Sequence, residues 1–308
     1  MILKISNYKF LLLFTLTLSL INCKKETSTE SESFSIGIIS DCQYCDCETR
    51  FVGGADRYYR KAPQRLRNAV TELNKHDLEF TIHLGDFIDQ NFKSFDSITP
   101  IWDELKSKSY HVLGNHDFSV ADSLKNKVPA KMGLTNRYYS FELNNWKFIV
   151  LDGNDLSIHG SPTPEKLKQA EELLAEVTKD SLPYAKFYNG ALGSEQLAWI
   201  KTELDDATTK NLNVCFFDHF PVMPVTELNL WDKDSFLNLV KEYDNVKLFL
   251  NGHDHAGSYD KVNDVHYVTF KGMVDTKNTN TFATVEFTKD SAFVKGYGRE
   301  ESRHLKLK

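Results

Sequence analysis

The sequence predicts an α/β domain of layered sheets and helices, and three observations carry that expectation. From residue 34 onward, short apolar runs of strand character alternate with stretches whose apolar residues recur every three or four positions. Several of these runs end directly in polar clusters rich in Asp, Asn and His, which is where an open α/β sheet gathers its ligand-binding side chains. The chain of 308 residues is 41% hydrophobic and 26% charged, enough apolar material for a large core and unlike a disordered or fibrous composition. At about 150 residues per domain, the length allows one large domain or two. The balance of 37 Lys and Arg against 43 Asp and Glu leaves a net charge of -6, which argues against nucleic acid as the main partner because phosphate binding wants a basic footprint. A local phosphate site stays open where bound metal supplies the positive charge.

Ahead of the domain, Lys4 and Lys9 flank the start of an uncharged run over residues 10–20, as long as a signal-peptide apolar core and short for a membrane span. Leu20, Ile21, Asn22 and Cys23 close that run and resemble the lipobox of bacterial lipoproteins, with Asn22 where Gly or Ala is usual. The resemblance implies a signal peptide over residues 1–22, a diacylglyceryl group on Cys23, and an exported lipoprotein anchored to a membrane on its periplasmic or cell-surface side. An ordinary exported protein with an unmodified Cys23 is the alternative. Residues 23–33 are polar and rich in Ser, Thr and Glu, so they read as a flexible tether, and residues 34–308 as the folded domain.

Within the domain, residues 35–40 read as the first strand. Between residues 57 and 75 the apolar side chains of Tyr59, Ala62, Leu66, Ala69, Val70 and Leu73 fall on one face, which predicts an amphipathic helix. Residues 80–84 return as a strand. Further strands are expected at 110–113, 138–142, 147–152, 214–218, 246–250, 266–270, 281–287 and 292–297, and helices at 164–177, 194–206 and 234–243. Residues 159–192, interrupted by Pro and Gly, have the make-up of a large surface loop. The spacing of Cys42, Cys45 and Cys47 is that of a thiolate metal site, but a four-Cys zinc site needs a second pair and Cys215 stands alone in an apolar run. A disulfide within the trio and free thiols both remain open.

The chemistry sits where the expected strands end. Asp41-Cys42-Gln43 follows the first strand, Gly85-Asp86 the second, and Gly114-Asn115-His116-Asp117 the strand that begins at Tyr110. His219 follows the strand that begins at Val214, and Gly252-His253-Asp254-His255 the one that begins at Val246. Carboxylate and amide oxygens mixed with imidazoles suit Mn²⁺, Fe²⁺ or Zn²⁺ better than an all-oxygen Ca²⁺ site, and two ions could share the set.

In that order, D-x-Q, G-D-x-x-D, G-N-H-D, an isolated His and G-H-x-H resemble the calcineurin-like metallophosphoesterase superfamily, with the motifs spread from Asp41 to His255. The resemblance implies a four-layer αββα sandwich with mixed sheets. It also implies two divalent metals, one held by Asp41, Gln43 and His255, the other by Asn115, His219 and His253, with Asp86 bridging. Gln43 stands where most members have His; a neutral amide oxygen donates less than imidazole and favours Mn²⁺ or Mg²⁺ over Zn²⁺. That departure, with Gln43-Tyr44, Arg57-Tyr58-Tyr59-Arg60, the stretch from Leu192 to Trp199 and the closing Lys295-Gly296-Tyr297-Gly298-Arg299, resembles the manganese-dependent ADP-ribose/CDP-alcohol diphosphatase branch. The implied reaction is hydrolysis of the phosphoanhydride in nucleoside diphosphate conjugates by a metal-activated hydroxide, as two adjacent dications allow. His116, outside the ligand set, faces the substrate by the same resemblance and stabilises or protonates the leaving oxygen, with Asp117 able to orient its imidazole.

Substrate contacts are expected from Arg57 and Arg60, and from Phe51, whose ring in the Gly-rich stretch Phe51-Val52-Gly53-Gly54 could stack on a base. His76, His83, His111, His159, His266 and His304 read as packing or solvated residues. The expected partners are a small nucleotide-diphosphate substrate and, through the anchor, a membrane; nucleic acid is not one, and the chain is expected to be a monomer. Two other functions compete: a phosphodiesterase or phosphomonoesterase of the same superfamily acting on other nucleotides or envelope phosphates, and a lipoprotein that binds nucleotide or metal without turnover.

Overall fold

The computed structural model describes residues 33–307. In chain order the elements are β1 (Phe34–Ile39), β2 (Arg50–Val52), β3 (Ala55–Arg57), α1 (Ala62–Leu73), β4 (Phe80–His83), α2 (Ser94–Trp102), β5 (Lys108–His111), α3 (Asp122–Lys125), α4 (Val128–Lys131), β6 (Tyr139–Leu143), β7 (Trp146–Val150) and β8 (Leu156–Ser157). There follow α5 (Pro164–Lys179), β9 (Gly190–Ala191), α6 (Gly193–Thr209), β10 (Asn213–Phe217), α7 (Lys233–Val240), β11 (Val246–Asn251), β12 (Ser258–Val262), β13 (Val265–Thr269), β14 (Thr281–Phe287), β15 (Ser291–Gly298) and β16 (Arg303–Lys306).

Two six-stranded sheets form the frame, in the orders β16-β15-β14-β1-β4-β5 and β12-β13-β11-β10-β7-β6. Both are mixed. β1, β4 and β5 run parallel while β14 joins β1 antiparallel; in the second sheet β7, β10, β11 and β13 run parallel and β6 and β12 close the edges antiparallel. Strand alternation sends Ile36, Ile38, Phe80 and Ile82 to one face of the first sheet, where they meet Trp146, Phe148, Val150, Phe217, Leu248 and Leu250 of the second in one buried core. The opposite faces carry helices. Leu66, Val70 and Leu73 of α1 and Phe95 and Ile98 of α2 pack with Ile39 and Leu113 behind the first sheet, and Ile200 and Leu204 of α6 and Phe236 and Val240 of α7 pack with Phe216 and Phe249 behind the second. Helix, sheet, sheet and helix make the four layers that the resemblance implied.

Several elements differ from the sequence reading. The helix expected from residue 57 starts later: Arg57 ends β3, residues Tyr59–Lys61 make one 3₁₀ turn, and α1 begins at Ala62 because Pro63 lacks an N–H and is tolerated only in the first turn. Helix α2, with Pro100 inside it, and the edge strands β12 and β16, rich in charged residues, were not expected. The Gly-rich stretch that begins at Phe51, where no element was expected, is a hairpin: Val52 pairs with Ala55, and Gly53 and Gly54 turn it with φ of 59° and 84°, which glycine adopts without strain. The signal segment, Cys23 and most of the tether lie outside the described residues.

Candidate metal centre

Five turns meet at the carboxyl ends of the parallel strands. β1 delivers Asp41 and Gln43, β4 delivers Asp86, β5 the turn Gly114 to Asp117, β10 His219, and β11 His253 and His255. Four of these side chains leave the backbone in the left-handed region, with φ of 50° at Asp41, 44° at Gln43, 57° at Asp86 and 69° at His253. Strain of that kind, about 1–3 kcal/mol for each residue, persists where surrounding structure over-determines it and clusters at functional sites. The turns also approach closely: a Cβ on Gly114 would lie 2.2 Å from both the backbone nitrogen and Oδ1 of Asp86, so this position excludes a side chain.

Hydrogen bonds outside the cluster fix which ring nitrogens bear protons. His219 Nδ1 lies 2.8 Å from the Leu84 carbonyl oxygen, His253 Nε2 lies 3.0 Å from Asn189 Oδ1, and His255 Nδ1 lies 2.9 Å from Asp275 Oδ1; all three partners are acceptors, so these nitrogens donate. In the neutral rings the lone pairs therefore point inward. His219 Nε2 faces Asp86 Oδ2 at 3.4 Å, Asn115 Oδ1 at 3.2 Å and His253 Nδ1 at 3.1 Å, while His255 Nε2 faces Asp41 Oδ1 at 3.2 Å. Acceptors that confront acceptors in a buried pocket, with Asp41 Oδ1 lacking any hydrogen-bond partner, fit a cation between them. Asp86, His219 and His253 offer three ligand atoms within 4.8 Å of one another.

The electrostatics agree. Burial lowers the His219 and His255 rings, but Asp86 beside the first, and Asp41 and Asp275 beside the second, outweigh it and raise them to about 10 and about 9. The field of these carboxylates draws a proton or a metal to the same nitrogens. Burial pushes Asp86 up, and the neighbouring His219 and His116 more than offset it, so this carboxyl sits well below the usual range.

Three expectations change here. Asp117 does not touch the His116 ring. Its carboxylate accepts the backbone N–H groups of Asp86 at 3.1 Å, Phe87 at 2.8 Å, Ile88 at 3.2 Å and Gly114 at 2.8 Å, stitching the β4 turn to the β5 turn. The partner of His116 is Asp89, the second acid of G-D-x-x-D, whose Oδ1 lies 2.9 Å from His116 Nδ1. Burial lowers the His116 ring, and the Asp86 and Asp89 carboxylates overcome it and raise it above its ordinary value. Gln43 reaches the centre with its nitrogen: Nε2 donates to Asp86 Oδ2 at 2.8 Å while Oε1 accepts from Arg57 Nη1 at 3.1 Å, so in this arrangement the amide oxygen is turned away from the cluster and holds Arg57 instead. Arg60 is engaged elsewhere, with Asp46 and Glu48 on the surface.

Phe51 is 73% exposed on the β2–β3 hairpin, whose last residue, Arg57, is tied to Gln43. Sequence reasoning missed Asn189, Asp89 and Asp275, each of which orients an imidazole. Only Asp89 stood in a motif. His83 and His111 pack with Phe87 and Trp102 as core residues.

The profile of the calcineurin-like phosphoesterase family matches residues 34–257, the segment that carries all five turns. The chain belongs to that family. A manganese-dependent ADP-ribose/CDP-alcohol diphosphatase of Arabidopsis thaliana is 33% identical over 255 residues, covering 73% of this chain and 81% of that protein. The Homo sapiens protein of the same name is 27% identical over 89% of this chain and 93% of its own length. A crystal structure of a dimetal phosphatase from Danio rerio superposes with a TM-score of 0.82 at 25% identity, over 89% of this chain and 99% of that one. As a member of the calcineurin-like phosphoesterase family, the chain is a metal-dependent hydrolase of phosphoric esters or anhydrides.

Proposed function

We propose that this calcineurin-like phosphoesterase carries two divalent ions, Mn²⁺ in preference, and hydrolyses the phosphoanhydride of nucleoside diphosphate conjugates such as ADP-ribose or CDP-alcohols. The observation that carries the reading is the set of inward lone pairs on His219, His253 and His255 facing Asp86, Asn115 and Asp41, in a chain similar along most of its length to diphosphatases of that name. Asn115, His219 and His253 would hold one ion and Asp41 and His255 the other, with the Asp86 carboxylate available to both. Gln43 would join the second set only by turning its oxygen inward. The ions when bound supply an activated water and polarise phosphoryl oxygens. Asp89, with Oδ1 2.9 Å from His116 Nδ1, would steady this partly exposed ring so that Nε2 can donate a proton to the leaving oxygen. Arg57, half-buried beside Gln43, offers positive charge to a phosphate.

The test is a panel of purified protein with Mn²⁺, Mg²⁺ or Zn²⁺ against ADP-ribose, CDP-choline, cyclic nucleotides and p-nitrophenyl phosphates. Mn²⁺-dependent release of AMP and ribose 5-phosphate from ADP-ribose is expected. Turnover confined to esters would replace this reading with that of a phosphodiesterase or phosphomonoesterase. We further propose that the chain is exported and lipidated at Cys23. Full-length protein should then sediment with membranes and Cys23→Ser should be soluble in the exported fraction, whereas wild type found wholly in the cytoplasm would refute both steps.

A further inference from the structure

We propose that reduction of the Cys45–Cys47 disulfide opens a separate metal site, built from the two thiolates and Asp89 and selective for a thiophilic divalent cation such as Zn²⁺ or Cd²⁺, and that filling it takes Asp89 away from His116. Cys45 and Cys47 form a disulfide with their Cα atoms 5.2 Å apart, settling which of the two open states of the trio holds; Cys42 is a buried free thiol. One ligand atom each from Cys45, Cys47 and Asp89 lies within 4.8 Å of the others. The Asp89 carboxylate has two sides: Oδ2 is 3.7 Å from Cys45 Sγ, and Oδ1 is 2.9 Å from His116 Nδ1. Gln90 Nε2 lies 2.7 Å from Cys47 Sγ and closes the other flank. The backbone holds the pieces in register, since Asp89 N–H donates to the Tyr44 carbonyl at 3.0 Å and Tyr44 N–H to the Phe87 carbonyl at 3.2 Å.

The disulfide encloses a single residue, so it removes little entropy from the unfolded chain and the fold does not depend on it. Cys45 is fully buried and Cys47 is 9% exposed between the exposed Asp46 and Glu48, so a reductant attacks at Cys47. A dithiol reductant exchanges with the bond, leaving two cysteine thiols and its own cyclic disulfide. A divalent ion then displaces the two thiol protons and binds both sulfurs. Zinc–thiolate bonds of about 2.3 Å place two sulfurs of a tetrahedral ion roughly 3.8 Å apart, which the backbone of Cys45 and Cys47 spans without rearrangement. Thiolate softness selects Zn²⁺ or Cd²⁺ over Mn²⁺, separating this site from the harder donors of the neighbouring centre. Asp89 as the third ligand shares its charge with the ion and no longer holds His116. The loss of activity rests on the role proposed for His116; the binding of the ion does not.

The experiment compares Mn²⁺-loaded protein as oxidised and after dithiol reduction and desalting without air, each titrated with Cd²⁺. Reduced wild type should bind one more cadmium per chain than oxidised protein, show cadmium–thiolate charge-transfer absorbance, and lose activity at least tenfold; oxidised protein should do none of these. Cys45→Ser/Cys47→Ser should keep its basal activity and gain neither the extra equivalent nor the absorbance. If that double variant fails to fold, Cys47→Ser alone, left with one thiol, should also lack the extra equivalent. An equal cadmium count in oxidised and reduced wild type, or an extra equivalent in the variants, overturns the site. Binding with the absorbance but unchanged activity overturns its link to Asp89. Should no substrate of the panel be turned over, stoichiometry and absorbance still decide the site, so its failure is distinct from failure of the proposed reaction.

Discussion

At the residue scale, Asp86 and Asp89, three positions apart in one turn, carry different work and separate by substitution. Asp86 faces His219 and takes the Gln43 amide and the His116 N–H, so Asp86→Asn should lose most bound metal together with activity. Asp89 touches His116 and none of the side chains proposed to hold the two ions of the catalytic centre, so Asp89→Asn should keep those ions and lose about 10- to 100-fold in kcat with KM little changed. Metal analysis beside steady-state kinetics checks both; full loading in Asp86→Asn would remove it from between the ions, and metal loss in Asp89→Asn would make it structural. That Asp41, Asp86, Asn115, His219, His253 and His255 gather at one set of strand ends was legible because strand, turn and motif coincide in sequence. Asp117 was misread for a physical reason: adjacency to His116 suggested contact, but in the 3₁₀ turn His116–Phe118 the two side chains leave in different directions, and the buried acid satisfies four backbone N–H groups instead. Asn189 and Asp275 left no trace because their role exists only through long-range pairing.

At the element scale, strands with continuous apolar runs were readable to within two residues, since burial on both faces leaves a composition that charged edge strands lack. The β2–β3 hairpin hid behind its brevity. Its ring at Phe51, 73% exposed and without a packing role, supports a prediction on substrate class. Stacking on a base is worth about 1–3 kcal/mol, so Phe51→Ala should lower kcat/KM for ADP-ribose or CDP-choline by roughly 5- to 150-fold and leave bis-p-nitrophenyl phosphate nearly unchanged. Equal losses on both would mean that the ring only steadies the hairpin, whose base anchors Arg57 against Gln43. An unchanged nucleotide rate would place it away from the base.

At the scale of the whole molecule, the two sheets bring five turns from a span of more than two hundred residues to one pocket, so the stability of the fold and the occupancy of the centre are linked. The four layers were legible only through the family resemblance, because alternation of strands and helices does not say how many sheets they form. The linkage gives a signed pH dependence. His255 and His219 are raised in the folded state to about 9 and about 10, against about 6.5 for a free imidazole, so in metal-free protein their protonated forms stabilise the fold fully below pH ~6.5 and that stabilisation disappears as pH climbs through the folded values. For His255 alone this is on the order of 3 kcal/mol, roughly 5–10 °C in Tm for a domain of this size. Bound metal behaves oppositely. It must displace those protons from the same nitrogens, so its affinity strengthens as pH rises, and a tighter ligand of the native state stabilises more at a fixed concentration. Melting curves of chelator-stripped and Mn²⁺-loaded protein between pH 6.5 and about 10 should therefore diverge, the stripped form falling while the gap between the two widens. A gap that stays constant or narrows would mean that these imidazoles are not the groups the metal replaces.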